Sequence, residues 1–593
     1  MNLTEPNVLA GCVAHNFDAV VTPRNPLEPN DNVNASGGGG LGTPEDINTW
    51  SGGNNTLIGD VKDELIDGNK GNIMFARGNY TNEKLYGEKN TDLLIGDKNI
   101  LDSGAIAPGF NDANLVKAEV QNLETPSPSP LSPGAPTNSS GKVYYVSPNG
   151  SDDNPGTSDK PWKTVNYAVS EKSSIKPGDT VLVQPGTYSE LITLGKSGNS
   201  ESGHITLKAN GNVTLRDPDP INGGFREGVI QSANKGFWVI DGFRIENTSW
   251  AGIALRDANN MIVQNNRTYE TGASGIIVMP ETYYDGGESE VTSKNIKVLN
   301  NTIERANWRW QGGNDQNGTQ EALSIWGVDG FEVANNTLKE GKREGLDIKT
   351  GSRNGSVHDN VISGQALVSG TPRGYNGGPA LYVDGNRANS FNIDIYNNVV
   401  FNNTADGILI ADEVPNQGDV YDIRVYNNIV YGNGQQGVNG GRGITVTNNV
   451  RNVEIVNNTV AKNVQAFYID GADYTGGYKP RDVVLRNNIF ANSTYRNGFV
   501  EDMSNLTLDR NLFTDRFEKL YEGGSRVDNA KVKDNTKVPS VGFTNLDGNN
   551  FRLSSGSPAI NTGSAEIGKY AQLDKDGVPR NKGGAADIGA YEF

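Results

Sequence analysis

The chain has 593 residues, a length that allows about three to five ordinary domains or one elongated domain. It is 35% hydrophobic and 21% charged and contains 74 glycines, which excludes a transmembrane helical bundle and argues against a helix-rich enzyme. The formal net charge is −18, from 52 basic and 70 acidic residues. We therefore expect no nucleic-acid partner, and divalent cations are the more natural ligands.

Cysteine content and hydropathy give expectations about redox chemistry and location. The single cysteine, Cys12, excludes an internal disulfide framework and a cysteine-ligated zinc site. No stretch approaches about 18 consecutive apolar residues, so no membrane span is predicted. Residues 1–25 contain no apolar run behind a basic start, so no secretion signal of the Sec type is visible. The protein either stays inside the cell or leaves by a leaderless route.

Residues 1–124 are rich in Asn, Asp and Gly and carry a short repeat. A leucine or methionine recurs in steps of 8, 9, 11 and 9 residues, at Leu57, Leu65, Met74, Leu85 and Leu94. The pattern resembles, in a degenerate form, the nonapeptide repeat of RTX exoproteins. That resemblance implies a calcium-binding β-roll, with Asp92 of the best-matched repeat as a metal ligand. The alternative is a calcium-free or partly disordered polar leader.

A linker and a cap follow the leader. Residues 125–141, TPSPSPLSPGAPTNSSG, alternate Pro and Ser and predict an extended linker that ends the first domain. Beyond it, the pattern predicts a strand over 143–146, a short amphipathic helix over about 161–171 and a strand over 180–183.

One repeat dominates the region from about residue 240 to 515. An asparagine at the end of an alternating apolar strand returns in steps as short as 23 and 24 residues, with three successive steps of 30, at Asn266, Asn301, Asn336, Asn360, Asn398, Asn428, Asn458, Asn488 and Asn511. The period is too short for propeller blades, and the repeated segments read as strands. We therefore predict an all-β chain with a right-handed parallel β-helix over 142–555 and a closing segment over 556–593. Asparagines stacked about 4.8 Å apart can form a hydrogen-bonded ladder.

A second short strand in each coil predicts the functional site. Because side chains alternate between the two faces of a strand, the residues one and three positions after each inward apolar residue point outward. Stacking then places Trp326, Lys349 and Asp384 in one column, with Asp347 and Tyr382 beside them. Such a strip combines an aromatic platform for a sugar with carboxylates and a lysine. The structural alternative is an exposed Lys349–Asp384 ion pair worth about 0 to 1 kcal/mol.

Further residues of the same outward surface complete the candidate site. Arg256 and Tyr468 lie at equivalent outward positions of other coils, and Glu413 ends a neighbouring strand. We expect these three side chains to bind substrate together with Trp326 and Tyr382. Glu321, Glu344 and Asp406 are placed at the adjoining turn.

Several motifs carry a family resemblance. Residues 144–152, YYVSPNGSD, are followed by NPGT at 154–157, PWKT at 161–164 and PGDT at 177–180. Together they resemble the start of the secreted β-helix proteins that include family 9 polysaccharide (pectate) lyases. SPAIN at 557–561 and DIGAYEF at 587–593 resemble the closing segment of many bacterial surface β-helix proteins. The opening motif belongs to the cap, so it does not specify activity.

The resemblance implies a calcium-dependent lyase. In those enzymes a lysine removes the proton α to the uronate carboxyl group, and calcium held by aspartates neutralises the carboxylate. Carried onto this chain, Lys349 is the expected base and Asp384 and Asp347 accompany it as catalytic residues. The expected calcium ligands are Asp347, Asp384, Glu344 and Asp406. The sequence departs from the family because it has no clear Asp-Asp-Gly cluster near Lys349.

The hypothesis from sequence is an extracellular or cell-surface, monomeric enzyme that acts on an acidic or neutral polysaccharide. The first alternative is a β-helix glycoside hydrolase that uses Asp384 with the Asp412–Glu413 pair. The second is a protein of another class, a non-catalytic surface or matrix protein that binds polysaccharide.

Overall fold

The computed structural model describes residues 141–222, 228–283, 286–287, 289–311, 320–367, 378–412, 418–434, 441–471, 478–514, 526–580 and 583–593, and the backbone of seven short strands before them. The chain divides into two compact units, one formed by Ala19–Ser132 and the other containing Pro133–Phe593. No helix in the described part of the chain is long and apolar enough to cross a membrane.

In the first unit, the first six strands alternate between two parallel sheets, and the seventh extends the second sheet. One sheet contains Asn48–Trp50, Ile66–Gly68 and Leu85–Gly87, and the other contains Thr56–Gly59, Ile73–Ala76, Leu93–Gly96 and Leu115–Lys117. Three positions of the apolar repeat, Leu57, Met74 and Leu94, are backbone partners in the second sheet. Asp92 lies outside the described residues, so calcium binding by this unit stays a prediction.

The second unit is a right-handed parallel β-helix, which confirms the predicted fold class. Three parallel sheets run along it, and nearly every coil contributes one strand to each sheet. The long sheet contains Val143–Val146, Thr180–Val183, Ile205–Ala209, Gly236–Asp241, Asn259–Gln264, Ser293–Leu299, Val328–Ala334, Arg353–His358, Ser390–Tyr396, Val420–Tyr426, Val450–Val456, Arg481–Arg486, Asp502–Asp509, Arg526–Asp528 and Lys531–Lys533. The middle sheet contains Gly186–Ser189, Val213–Arg216, Arg244–Thr248, Arg267–Thr271, Thr302–Glu304, Thr337–Lys339, Val361–Ser363, Val399–Phe401, Ile429–Tyr431, Thr459–Ala461, Ile489–Ala491, Leu512–Phe513 and Thr536–Lys537. The third sheet, called the site sheet below, contains Ile192–Thr193, Gly228–Ala233, Ala251–Arg256, Ile276–Met279, Leu323–Trp326, Leu346–Lys349, Leu381–Asp384, Ile408–Ala411, Arg442–Thr447, Gln465–Asp470 and Arg496–Val500.

The two ends of the β-helix differ from its coils. Near the start, the α-helix Val165–Val169 packs its Val165, Ala168 and Val169 side chains into the core. It is shorter than the amphipathic segment predicted from sequence. After the last coil come the antiparallel strands Phe543–Asn545 and Asn550–Leu553 and a 3-10 turn at Lys569–Ala571.

The core is built from the inward residues of the three sheets. Ile325, Ile348, Val383 and Ile410 occupy successive coils of the site sheet, and each has an exposure of 0%. Stacked β-branched and leucine side chains remove apolar area from water continuously along the axis. The inward alternation therefore fixes which residues of the same strands face outward.

The recurring asparagines form the predicted ladder. Asn398, as an example, accepts hydrogen bonds from the backbone nitrogen and Nδ2 of Asn360, at 3.0 Å each. Its own Nδ2 donates to the carbonyl of Val357 at 2.9 Å and to Asn428 Oδ1 at 3.0 Å. The same pattern runs from Asn266 to Asn511 and continues to Asn535. These buried amides are structural, because they satisfy backbone groups at each corner of the spiral.

Most ladder residues are preceded by a second asparagine, which has a separate role. Asn397, Asn427, Asn457 and Asn487 adopt φ values of 54 to 57°, a left-handed conformation that asparagine tolerates better than most residues. The last three of these side chains also donate to carbonyls of the C-terminal segment, at Leu573, Asp587 and Ser564 respectively. The closing segment therefore packs along the corner of the β-helix.

Candidate active site

The site sheet brings the predicted column together. Trp326, Lys349 and Asp384 are backbone partners on three consecutive coils. Asp347 and Tyr382 are partners in the neighbouring column, two residues earlier on the same strands. All five side chains face away from the core, and the sequence placed them correctly because the parallel register carries no offset between coils.

Lys349 lies in a buried ionic cluster. Its Nζ is 2.6 Å from Oε1 of Glu321 and 3.4 Å from Oδ2 of Asp347. Ser324 donates a hydrogen bond to the other carboxylate oxygen of Glu321. The Lys349 and Glu321 side chains are only 10% and 7% exposed. The alternative of an exposed ion pair between Lys349 and Asp384 is therefore wrong. The Lys349 side chain is buried, and the carboxylate nearest to it belongs to Glu321.

The Trp326 ring lies beside the ammonium group of Lys349. Lys349 Nζ stands 4.5 Å from the ring centroid of Trp326, and Tyr283 packs edge-on against the same indole at 4.2 Å. Trp326 is 1% exposed. A cation over an aromatic face in such a dry setting is held more strongly than one on the surface.

The ionic cluster shifts the pKa of both partners. Burial acts to lower the pKa of Lys349, but the carboxylates of Glu321 and Asp347 outweigh it, and the pKa is raised. Burial acts to raise the pKa of Glu321, but Lys349 and Arg343 outweigh it, and the pKa is lowered. Lys349 is therefore an ammonium ion and Glu321 a carboxylate at neutral pH.

Asp384 shapes the turn that follows its strand. Its Oδ1 accepts the backbone N–H of Asn386 at 2.7 Å, and its carbonyl accepts the hydroxyl of Ser390 at 2.8 Å. The side chain is 1% exposed. Arg387, in this turn, places its guanidinium carbon 5.6 Å from the Trp326 ring centroid.

The four predicted calcium ligands lie in different settings. Asp347 faces Lys349 and Asp384 accepts from Asn386. Glu344 pairs with Arg343 at 3.1 Å. Asp406 accepts from the backbone nitrogen of Arg442 at 2.9 Å and from the Thr445 hydroxyl at 2.8 Å.

The positions of these four carboxylates can be compared with the ligand geometry that calcium needs. Calcium takes six to eight oxygen ligands around one point. Among the described residues, no group of three or more His, Cys, Asp or Glu side chains is arranged to hold a metal ion. As placed, the four carboxylates do not fit a shared calcium site, and no catalytic step is assigned to calcium.

The remaining predicted substrate-binding residues are spread along the site sheet. Arg256 pairs with Glu281 at 3.0 Å and is the backbone partner of Met279, on the side of Trp326 away from Lys349. Tyr468 lies beyond Thr445, donates to Oδ2 of Asp470 at 2.7 Å and has Arg442 stacked on its ring at 3.9 Å. Glu413 lies outside the described residues.

Sequence reasoning missed three contributors to the cluster and did not predict the role of a fourth. Glu321 was expected only as a neighbour at the turn, and Arg343, Tyr283 and Arg387 were not expected at all. Arg343 pairs with Glu344 and stacks on Trp310 at 4.7 Å. These residues lie in or beside loops of unequal length, which carry no repeat that would reveal their column.

The comparisons with known proteins agree with this architecture. Residues 199–362 match the family model described as "Right handed beta helix region". The uncharacterized protein YwoF of Bacillus subtilis is 27% identical over 292 residues, 44% of this chain and 57% of that protein. Pectate lyase PEL9 of Emericella nidulans is 28% identical over 145 residues, 22% of this chain and 34% of that protein.

The chain thus spans about half of the first of these relatives and a third of the second. The crystal structure of pectate lyase Pel9A covers 76% of this chain and 96% of its own, at 18% identity and a TM-score of 0.45. The matched region and the three stacked parallel sheets identify the fold of this chain as a right-handed parallel β-helix.

Proposed function

We propose that the protein is a polysaccharide lyase that cleaves uronate polymers at the site around Lys349. The observation that carries the proposal is a buried lysine on the outward side of the β-helix, held by two carboxylates and a tryptophan. Burying such ions costs more free energy than an exposed pair does, and replacing them with apolar residues is often stabilising. Strongly perturbed titratable groups of this kind concentrate at functional sites.

The reaction is a β-elimination. A base takes the proton from the carbon next to the uronate carboxyl group, and that electron pair forms a carbon–carbon double bond. The bond to the glycosidic oxygen breaks, and the leaving oxygen gains a proton. Lys349 is the proposed base, Asp347 holds its ammonium form, and Asp384 orders the neighbouring turn.

This assignment has a consequence for pH. An amine accepts a proton only in its neutral form, and the pKa of Lys349 is raised. We therefore expect kcat/KM to increase with pH through the alkaline range. A flat profile between neutral and alkaline pH would contradict a base role for Lys349.

The elongated site sheet suits a polymer. Trp326, Tyr382 and Tyr468 lie on separate coils, and Arg256 lies further along the same sheet. We propose that a polysaccharide chain lies along these coils. An extracellular or surface location is part of the same proposal, since such polymers are found there. A calcium requirement stays a prediction that chelation tests.

The assay follows the ultraviolet absorbance of the unsaturated product during incubation with polygalacturonate, alginate and other uronate polymers, with and without a chelator. Absorbance that rises with time supports the lyase. New reducing ends without absorbance would instead identify a hydrolase, and binding without either product would leave a non-catalytic polysaccharide-binding protein.

A further inference from the structure

Arg387 lies beside the site and, like Arg305 and Arg510 at other turns, has left-handed backbone. It lies in the turn between the strands Leu381–Asp384 and Ser390–Tyr396 and has a φ of 73°. Left-handed backbone is uncommon for residues with a side chain beyond asparagine, aspartate and glycine, and it costs about 1 to 3 kcal/mol.

The turn holds Arg387 in place. Asp384 accepts the N–H of Asn386 at 2.7 Å, and the carbonyl of Ala388 accepts the N–H of Gly351 at 3.2 Å. A side chain at Gly385 would meet the carbonyl oxygen of Gly418 at 2.4 Å. The guanidinium is therefore presented by an ordered turn, which lowers the entropy lost when it binds a ligand.

The N–H groups of the Arg387 guanidinium are available as hydrogen-bond donors. Within the described part of the chain, Arg387 makes no hydrogen bond or ion pair, and its guanidinium carbon lies 5.6 Å from the Trp326 ring centroid. Lys349 stands over the same ring at 4.5 Å but is engaged by Glu321. Arg387 is partly exposed, whereas Lys349 is buried.

We propose that Arg387 is a specificity-determining residue that binds the carboxylate of an acidic sugar on the protein surface, at the turn that covers Trp326. A planar guanidinium matches a carboxylate through two parallel N–H donors. A guanidinium beside that carboxylate also stabilises the negative charge that builds up during β-elimination. This inference rests on the proposed lyase function and deepens it.

The test measures binding by titration calorimetry, using oligomers of galacturonate and of alginate and their carboxyl-reduced, neutral counterparts. We expect Arg387→Gly to weaken binding of the acidic oligomer about 10- to 100-fold and to leave the neutral counterpart unchanged. Arg387→Lys, which keeps the charge but loses the paired donors, is expected to fall between them.

Thermal unfolding shows whether a variant that binds less well is still folded. Glycine accepts a φ of 73° without strain, so Arg387→Gly is expected to unfold at a higher temperature than the wild type while binding less well. The matched control is Arg353→Gln on the long sheet, where the guanidinium lies 5.8 Å from the Phe391 ring. We expect this control to leave both affinities unchanged.

The two hypotheses fail in different ways. Wild-type protein that cleaves and binds uronate oligomers, with equal affinity in Arg387→Gly, would overturn the role of Arg387 and leave the lyase function standing. Wild-type protein that neither binds nor cleaves any uronate oligomer would overturn both. Equal losses for acidic and neutral oligomers would also overturn the specificity role.

Discussion

The outward sides of the site sheet and the long sheet use charge in opposite ways. On the long sheet, ion pairs such as Lys297–Glu332 connect adjacent strands with the lysine 50% exposed. On the site sheet, the Lys349–Glu321 pair is 10% and 7% exposed. Exposed pairs contribute about 0 to 1 kcal/mol, whereas a buried pair must overcome the desolvation of both ions. The repetitive coils thus form a scaffold. On the site sheet, stability alone does not explain why charged side chains are buried.

The largest difference between the two sheets is expected when one lysine is removed from each. Lys349→Met is expected to lower kcat about 10²- to 10⁴-fold, because it deletes the proposed base. Lys297→Met, on the long sheet, is expected to leave kcat unchanged. Initial rates of ultraviolet absorbance on a uronate polymer measure both, with circular dichroism to confirm folding. Wild-type turnover by a folded Lys349→Met variant would remove the site.

A second pair of variants compares buried and exposed asparagines. Asn398→Ala should lower the free energy of unfolding by about 2 to 5 kcal/mol, because buried partners lose their hydrogen bonds in two adjacent coils. Asn392→Gly, at an exposed position with a φ of 54°, should change it by less than about 0.5 kcal/mol. Denaturant titration measures both, and similar losses would show that the ladder is not a special source of stability.

A third comparison uses pH and two histidines. Burial acts to lower the pKa of His358, but Asp359 and Glu332 outweigh it, and the pKa is raised. Its contribution to stability is complete below the unfolded pKa of about 6.5 and is lost as pH rises through the raised folded value. Burial lowers the pKa of His204, so that residue destabilises the fold as pH falls below about 6.5.

The histidine variants should therefore change the pH dependence of unfolding in opposite directions. His358→Gln is expected to remove part of the stability loss seen as pH rises above about 6.5. His204→Gln is expected to remove part of the loss seen as pH falls below that value. Urea unfolding at several pH values measures both, and the same direction of change in the two variants would contradict the assigned shifts.

The smallest effect is expected for an exposed pair. Lys208 Nζ lies 3.2 Å from Asp241 on the next strand of the long sheet, with the lysine side chain 51% exposed. Lys208→Ala should change the unfolding free energy by about 0 to 1 kcal/mol, and the difference should shrink with added salt. A larger, salt-independent loss would show that exposure is a poor guide to charge energetics in this fold.

Much of the architecture was predictable because it repeats. The 30-residue spacing of Asn398, Asn428 and Asn458 required stacked coils, and the structure contains their ladder. The same register placed Trp326, Lys349 and Asp384 on adjacent strands. In a parallel sheet without register offset, a residue and its equivalent in the next coil are backbone partners. The period of the sequence is therefore enough to predict which residues share a column.

The setting of each charge was not predictable in this way. The sequence offered Asp384 as the partner of Lys349 and as a calcium ligand, yet Glu321 lies nearest to the lysine and Asp384 accepts an N–H of its own turn. The position of Arg387 could not be predicted from the repeat, because its turn has no counterpart of the same length in the neighbouring coils.

The amino-acid sequence by itself determined the spiral, its ladder and the column of outward residues, since strand alternation and backbone pairing are local and repeat with each coil. Only the tertiary structure decided which of those residues are buried, which acid holds Lys349 and which arginine is presented at Trp326. Those outcomes depend on loops of unequal length that fold over the regular sheet, and on desolvation, which no spacing in the sequence records.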